Sequence, residues 1–171
     1  MSSCRGRYNA GFRLLERLMP QDIAQQLPWI ARMRRSHQHL LGRPLVDPAL
    51  SDAEAAAVLQ QAPFCLLAHD GTADPCFVYA NQTALDCFEY TAAELIGLPS
   101  RLSAEAPNRE ERAALLASVA QQGYASGYRG LRIARSGRRF WIKDVTVWNL
   151  LDEQGQPCGQ AAVYATWEDA V

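Results

Sequence analysis

Residues 64–103, FCLLAHDGTADPCFVYANQTALDCFEYTAAELIGLPSRLS, constrain the fold more than any other stretch of this chain. Residues 64–68 form a short apolar run that the turn residues His69, Asp70 and Gly71 end, and residues 76–80 form a second run introduced by Pro75. Asn81 then stops the second strand and caps a helix over Gln82–Phe88, its side-chain oxygen accepting an N–H that the first turn leaves unpaired. Thr91 and Glu94 have capping-box spacing and open a second short turn. Gly97 closes that unit, where only glycine adopts a left-handed conformation at no cost. The order is strand, tight turn, strand, capped helix, capped turn.

A helix leaving an Asn at the end of the second strand resembles a PAS domain, and "YANQTALDCFEYTAAELIG" carries that likeness. A closer resemblance is to the PAS-like MEKHLA family. Its wording stands here as "LAHDGTADPCFVYAN", "LPSRLSAE", "NREER", "YRGLRI", "GRRFWI" and "VTVWNLLDEQGQPCGQAA", over roughly residues 30–168. The resemblance implies an α+β, PAS-like fold: a five-stranded antiparallel sheet with helices on one face and an N-terminal helical extension outside it. Residues 1–20 read as a tail with a short helix, 21–62 as the helical extension and 63–171 as the PAS-like core. The family implies a sensory or interaction module rather than a reaction. In plants it is attached to homeodomain-leucine zipper transcription factors, where it modulates dimerisation.

The rest of the chain fits that frame. Residues 11–19 read as an amphipathic helix ending at Pro20, and a second helix starts near Asp22 and kinks or restarts at Pro28. From there Trp29, Ile30, Met33, His37, Leu40 and Leu41 recur at helical spacing and make one apolar stripe. A stripe like this buries itself on the back of its own sheet or on the same helix of a second copy, so its residues are also the candidate dimer interface. Ser51 and Glu54 box the start of a helix through Gln61. Asn108 is the expected cap of a helix over residues 109–121, with Leu115, Leu116 and Val119 buried. Residues 128–135 and 138–150 read as a hairpin around Ser136-Gly137, and residues 160–167 as the last strand. Strict alternation places Phe140, Ile142, Asp144, Thr146 and Trp148 on one face of the long strand, with Val145, Val147 and Asn149 on the other.

Composition narrows the function classes. No apolar run approaches the ~20 residues that span a bilayer, and the first residues lack a signal-peptide core, so no membrane association and a cytoplasmic location are expected. The net charge of −1 hides an asymmetry of +6 over residues 1–46 against −7 over the remainder. The basic arm is expected to dock on its own body or a partner subunit. Without aromatics interleaved along a basic stripe, nucleic acid is not the expected partner. The five cysteines (4, 65, 76, 87, 158) form no CxxC pair, and no metal site is expected. Cys65, Cys76 and Cys87 read as small hydrophobes and Cys158 as the exposed thiol, whose redox role is open.

Three polar sets could carry chemistry. His69, Asp70 and Asp74 invite a general-base reading, but adjacent strand residues point to opposite faces and Asp70-Gly71 is turn chemistry. Arg101, Ser103, Glu105, Asn108, Arg109, Glu110 and Arg112 could grip an anion, with Arg101 and Arg109 as the candidate ligand residues, or could form an ion-pair and capping network. Tyr128, Arg132, Arg139, Trp148, Asn149 and Gln160 lie on predicted strands. A PAS cavity lies between sheet and helices, so the resemblance makes Tyr79, Phe140, Trp148 and Asn149 candidate lining residues. The cofactor is unknown. A LOV-type flavin is disfavoured because its Asn-Cys-Arg-Phe-Leu-Gln word is missing. Haem is disfavoured because residues 109–122 hold no His. The reading that results is a non-catalytic sensory or interaction module. It is expected to dimerise, to signal through packing that depends on a small-molecule ligand or a protein partner, and to pass its output to another protein. The alternatives are a binding protein for a small anion and, third, an enzyme built on His69.

Overall fold

The structure is a computed structural model that describes residues 23–171; the expected helix at 11–19 lies outside the described residues. Helix α1 (Ile23–Leu41) runs continuously through Pro28, and α2 (Asp52–Gln60) starts at the Ser51 capping box, with Glu54 N–H donating to Ser51 Oγ over 3.2 Å. Strands β1 (Cys65–Asp70) and β2 (Phe77–Ala80) precede α3 (Gln82–Phe88) and the boxed turn α4 (Ala92–Leu95). A 3-10 turn (Ser100–Ser103) leads into α5 (Ala106–Gln122). Helix α5 starts before its expected cap, Asn108, because Pro107 fits the first turn, where its missing N–H would have no partner anyway. Strands β3 (Tyr124–Ile133), β4 (Arg139–Leu151), β5 (Pro157–Tyr164) and β6 (Thr166–Asp169) complete the chain.

All pairings are antiparallel, in the order β2-β1-β5-β4-β3. The sheet has six strands rather than the expected five. The last strand breaks after Tyr164: β5 lies between β1 and β4, while β6 pairs only with Phe140–Lys143 at the start of β4. Cys158, expected as the exposed thiol, lies in β5 and is half-buried.

Two apolar cores separate across this sheet. On the front, Leu67, Phe77, Phe140, Ile142, Val145 and Val147 pack with Leu85 and Phe88 of α3 and Val119 of α5. On the back, Leu66, Ala68, Tyr79, Trp148 and Ala161 pack with Ile30 and Met33 of α1 and Ala55 and Leu59 of α2. The apolar stripe of α1 is therefore spent on its own sheet.

Two bulges decide which side chain faces which core. Between Tyr128↔Val145 and Gly130↔Ile142 the long strand β4 takes three steps against two on β3, and Asp144 sits at φ 49°. The extra residue shifts the alternation by one, so Phe140 and Ile142 share the front with Val145, Val147 and Asn149 while Trp148 turns to the back. In β2, Tyr79 opposes Ala68 but Phe77 opposes the next residue, His69. The extra residue, Val78, sends Tyr79 to the back and leaves Phe77 on the front.

A cavity under the long helix

The front core is incomplete. A cavity of about 60 Å³ lies between the inner face of the sheet and α5, walled by apolar side chains that include Phe77, Phe88, Leu116 and Val145. Its polar wall includes His69, Ser103, Arg112, Tyr128, Arg132 and Gln160. On β3, Tyr128, Gly130 and Arg132 alternate onto one face. A Cβ on Gly130 would stand 2.5 Å from the Tyr128 hydroxyl and 2.8 Å from an Arg132 guanidinium nitrogen. Glycine is what lets Arg132 fold back along its own strand, where Nη2 donates to Tyr128 Oη over 3.4 Å and Nη1 to Leu131 O over 2.8 Å. Arg132 is 7% exposed and has no carboxylate partner among the described residues.

Arg112 reaches the cavity from α5, one helical turn ahead of Leu115 and Leu116. Burial, and then the nearby Arg132, bring its pKa down to about 10. His69 follows Cys65 and Leu67 on the inner face of β1 and is 8% exposed. Its Nδ1–H donates to Asp70 O over 2.9 Å, while Nε2 has no hydrogen-bond partner. The Gln160 side chain lies beside the ring without closing a bond to Nε2, its own amide N–H groups being used on Leu116 O (2.9 Å) and Asn149 Oδ1 (3.2 Å). Burial holds the His69 pKa below its ordinary value, so the ring is neutral near pH 7.

The polar wall draws on all three polar sets read from the sequence, but the candidate ligand residues fall elsewhere. Tyr79 and Trp148 are fully buried in the back core, moved there by the two bulges. Phe140 is in the front core, edge-on to Phe88 with ring centroids 5.0 Å apart, away from the cavity wall. Asn149 stands next to the cavity and ties Gln160 to Ala120 O. Arg101 lies outside, half-exposed and forked onto Asp74 through 3.1 and 3.2 Å contacts, and Arg109 Nε donates to Ala104 O over 2.9 Å. With Arg139 forked onto Glu105, these contacts fasten the connection ahead of α5. Asp70 Oδ1 accepts from Thr72 and Cys76, so no carboxylate orients His69. Of the proposed dimer residues, Ile30, Met33 and His37 are buried inside the chain and unavailable to a partner as packed; Trp29 and Leu40 keep part of their surface.

Arg112 was legible: a cation three and four residues before the leucines of a buried helix face is out of place unless it meets a polar group. Its position among other charges in residues 101–112 concealed it. No group of three His, Cys, Asp or Glu among the described residues is placed to hold a metal ion, and no described helix is long and apolar enough to cross a membrane.

A family model described as the MEKHLA domain matches residues 27–169. Among curated proteins, homeobox-leucine zipper protein ATHB-14 of Arabidopsis thaliana is 30% identical over 95 residues, which are 56% of this chain and 11% of that protein. ATHB-9 of the same plant is 28% identical over the same shares. The chain thus matches about a tenth of the length of these relatives. Among solved structures, the PAS domain of a protein from Colwellia psychrerythraea superposes with a TM-score of 0.57 at 16% identity, over 67% of this chain and 92% of that one. An RNA-binding light-oxygen-voltage receptor gives 0.61 at 21% identity, over 72% and 35%. At these identities the likeness is one of fold.

Proposed function

The chain belongs to the MEKHLA domain family, and on that footing we propose that it is a non-catalytic PAS-like sensor that reads a small molecule in the cavity under α5. The observation that carries this is a small, mostly apolar void whose lining includes a buried histidine with an unpartnered Nε2. Protein interiors seldom leave such an atom unsatisfied, and at a void its partner is a water or a bound molecule. Occupancy would favour one packing of α5 on the sheet, and that shift is the signal. Our reading places neither flavin nor haem in this space: about 60 Å³ is far below the ~300 Å³ at which pockets for drug-sized ligands begin.

The readout in this proposal is a protein, either a second copy of the chain or a different partner. The outer side of α1 is the proposed surface, where Trp29 stacks under the Arg32 guanidinium at 4.9 Å and keeps part of its ring exposed. Native mass spectrometry of freshly purified protein against its denatured mass tests the sensor reading. Extra mass lost on denaturation supports it, and a stoichiometrically empty protein that no small molecule stabilises sinks it. The same spectrum counts the subunits: a bare monomer removes the homodimer from the proposal.

A further inference from the structure

The wall of the cavity carries two arginines and neither Asp nor Glu. Resting on the sensor reading above, we propose that the ligand is a short-chain monocarboxylate. Its carboxylate sits on Arg112, with Arg132 and Tyr128 at its edges, and its alkyl end lies on the apolar wall.

Four observations converge on that class. Arg112 makes neither a hydrogen bond nor an ion pair among the described residues, whereas Arg34, Arg101, Arg138 and Arg139 all find carboxylates. A partly buried cation without a counter-ion, beside a second, buried cation, is a costly arrangement that an anion relieves. The guanidinium fork is built for a planar, two-oxygen partner, and Tyr128 Oη and Arg132 Nη2 already lie side by side next to it. The space is small: about 60 Å³ takes about four to six water-sized atoms, which suits an acid of two to four carbons and excludes nucleotides and aromatic acids. Finally, Phe77, Phe88, Leu116 and Val145 surround the remainder, so a second charged end would be buried without a partner and a hydrocarbon end would not.

The test uses the whole chain, unfolded and refolded to strip any retained molecule, and follows thermal midpoint and calorimetric binding. The probes are acetate, propionate and butyrate, with butyramide as the neutral isostere and inorganic phosphate as the competing anion. Propionate or butyrate is expected to raise the midpoint saturably while butyramide does not. Arg112→Gln should weaken that binding at least tenfold with the empty protein's own midpoint unchanged or higher. If Arg112→Gln does not fold, Leu116→Trp keeps both arginines, fills the void and is expected to abolish the response. Equal stabilisation by butyramide, a stronger response to phosphate, or a carboxylate response that survives both substitutions overturns the proposal. A neutral molecule retained in native spectra, with no carboxylate response, removes the carboxylate and leaves the sensor standing. No retained mass and no response to acid, amide or phosphate removes both.

Discussion

The two faces of the sheet are built from the same strands and obey different rules. The back is filled: in the cross-strand row Tyr79–Ala68–Ala161–Trp148, two large rings flank two alanines, and α1 and α2 cover them. The front row one step along reads Phe77–His69–Gln160–Asn149, polar in three of its four places, and beside it lie the void and two arginines. Large opposite small across neighbouring strands is how a sheet reaches close packing. Polar side chains on a buried face are how a sheet forgoes some of that packing to hold something else. Both faces carry an apolar core; in the reading proposed above, the front also gives up some packing to keep a ligand site.

Substitutions of opposite sign should expose that contrast. Trp148→Ala removes the largest buried ring of the back core and is expected to cost about 3–5 kcal/mol, read from urea unfolding. A loss below about 1 kcal/mol would mean that the back is as loosely filled as the front. Arg112→Met on the front replaces a partly buried, unpaired cation with an apolar chain, and its unfolding free energy should equal or exceed the parent's by up to about 2 kcal/mol. A marked loss would show that Arg112 fastens α5. Tyr79→Phe tests an exception on the back: the buried hydroxyl has no partner, so its removal should be neutral or stabilising by about 1 kcal/mol. The smallest effect is one of pH. His37, whose Nδ1–H donates to Arg43 O over 2.8 Å at the edge of the Trp148 ring, and His69 on the front are both held below the ordinary 6.5 by burial. A depressed folded-state pKa makes their contribution complete above pH 6.5 and erodes it as pH falls from there. His37→Gln and His69→Gln should each flatten that decline in pH-dependent melts.

Much of this was written in local sequence. Asn81, Ser51 with Glu54 and Thr91 with Glu94 cap as their spacing requires, and the family words marked the sheet and the layer order. The site was less legible because it depends on register. Nothing in the strand FWIKDVTVWNLL announces that Asp144 adopts a positive φ, yet that one residue decides whether Trp148 lines the cavity or the back core. Val78 does the same for Tyr79 in a four-residue strand. A bulge is a tertiary solution, in which two strands of unequal demand share one ladder, so alternation counted along either strand alone cannot find it. The single final strand read at 160–167 divides for a related reason: past Tyr164 the chain leaves β1 and continues along β4 alone.

Asn81 bears on how the two faces talk. Its Nδ2 donates to Leu59 O over 2.9 Å, at the end of α2, and to Phe64 O over 2.8 Å, while Oδ1 accepts from Leu66 N–H over 3.0 Å in β1 and from Ala84 N–H over 3.1 Å in α3. One fully buried amide thus rivets a back-layer helix to a front-layer helix through the sheet. Rivets of this kind merge neighbouring cooperative units, so neither layer can loosen alone. In hydrogen exchange the amides of Leu66 and Ala84 should report the same opening free energy, and a molecule that tightens the front should slow exchange in α2 without touching it.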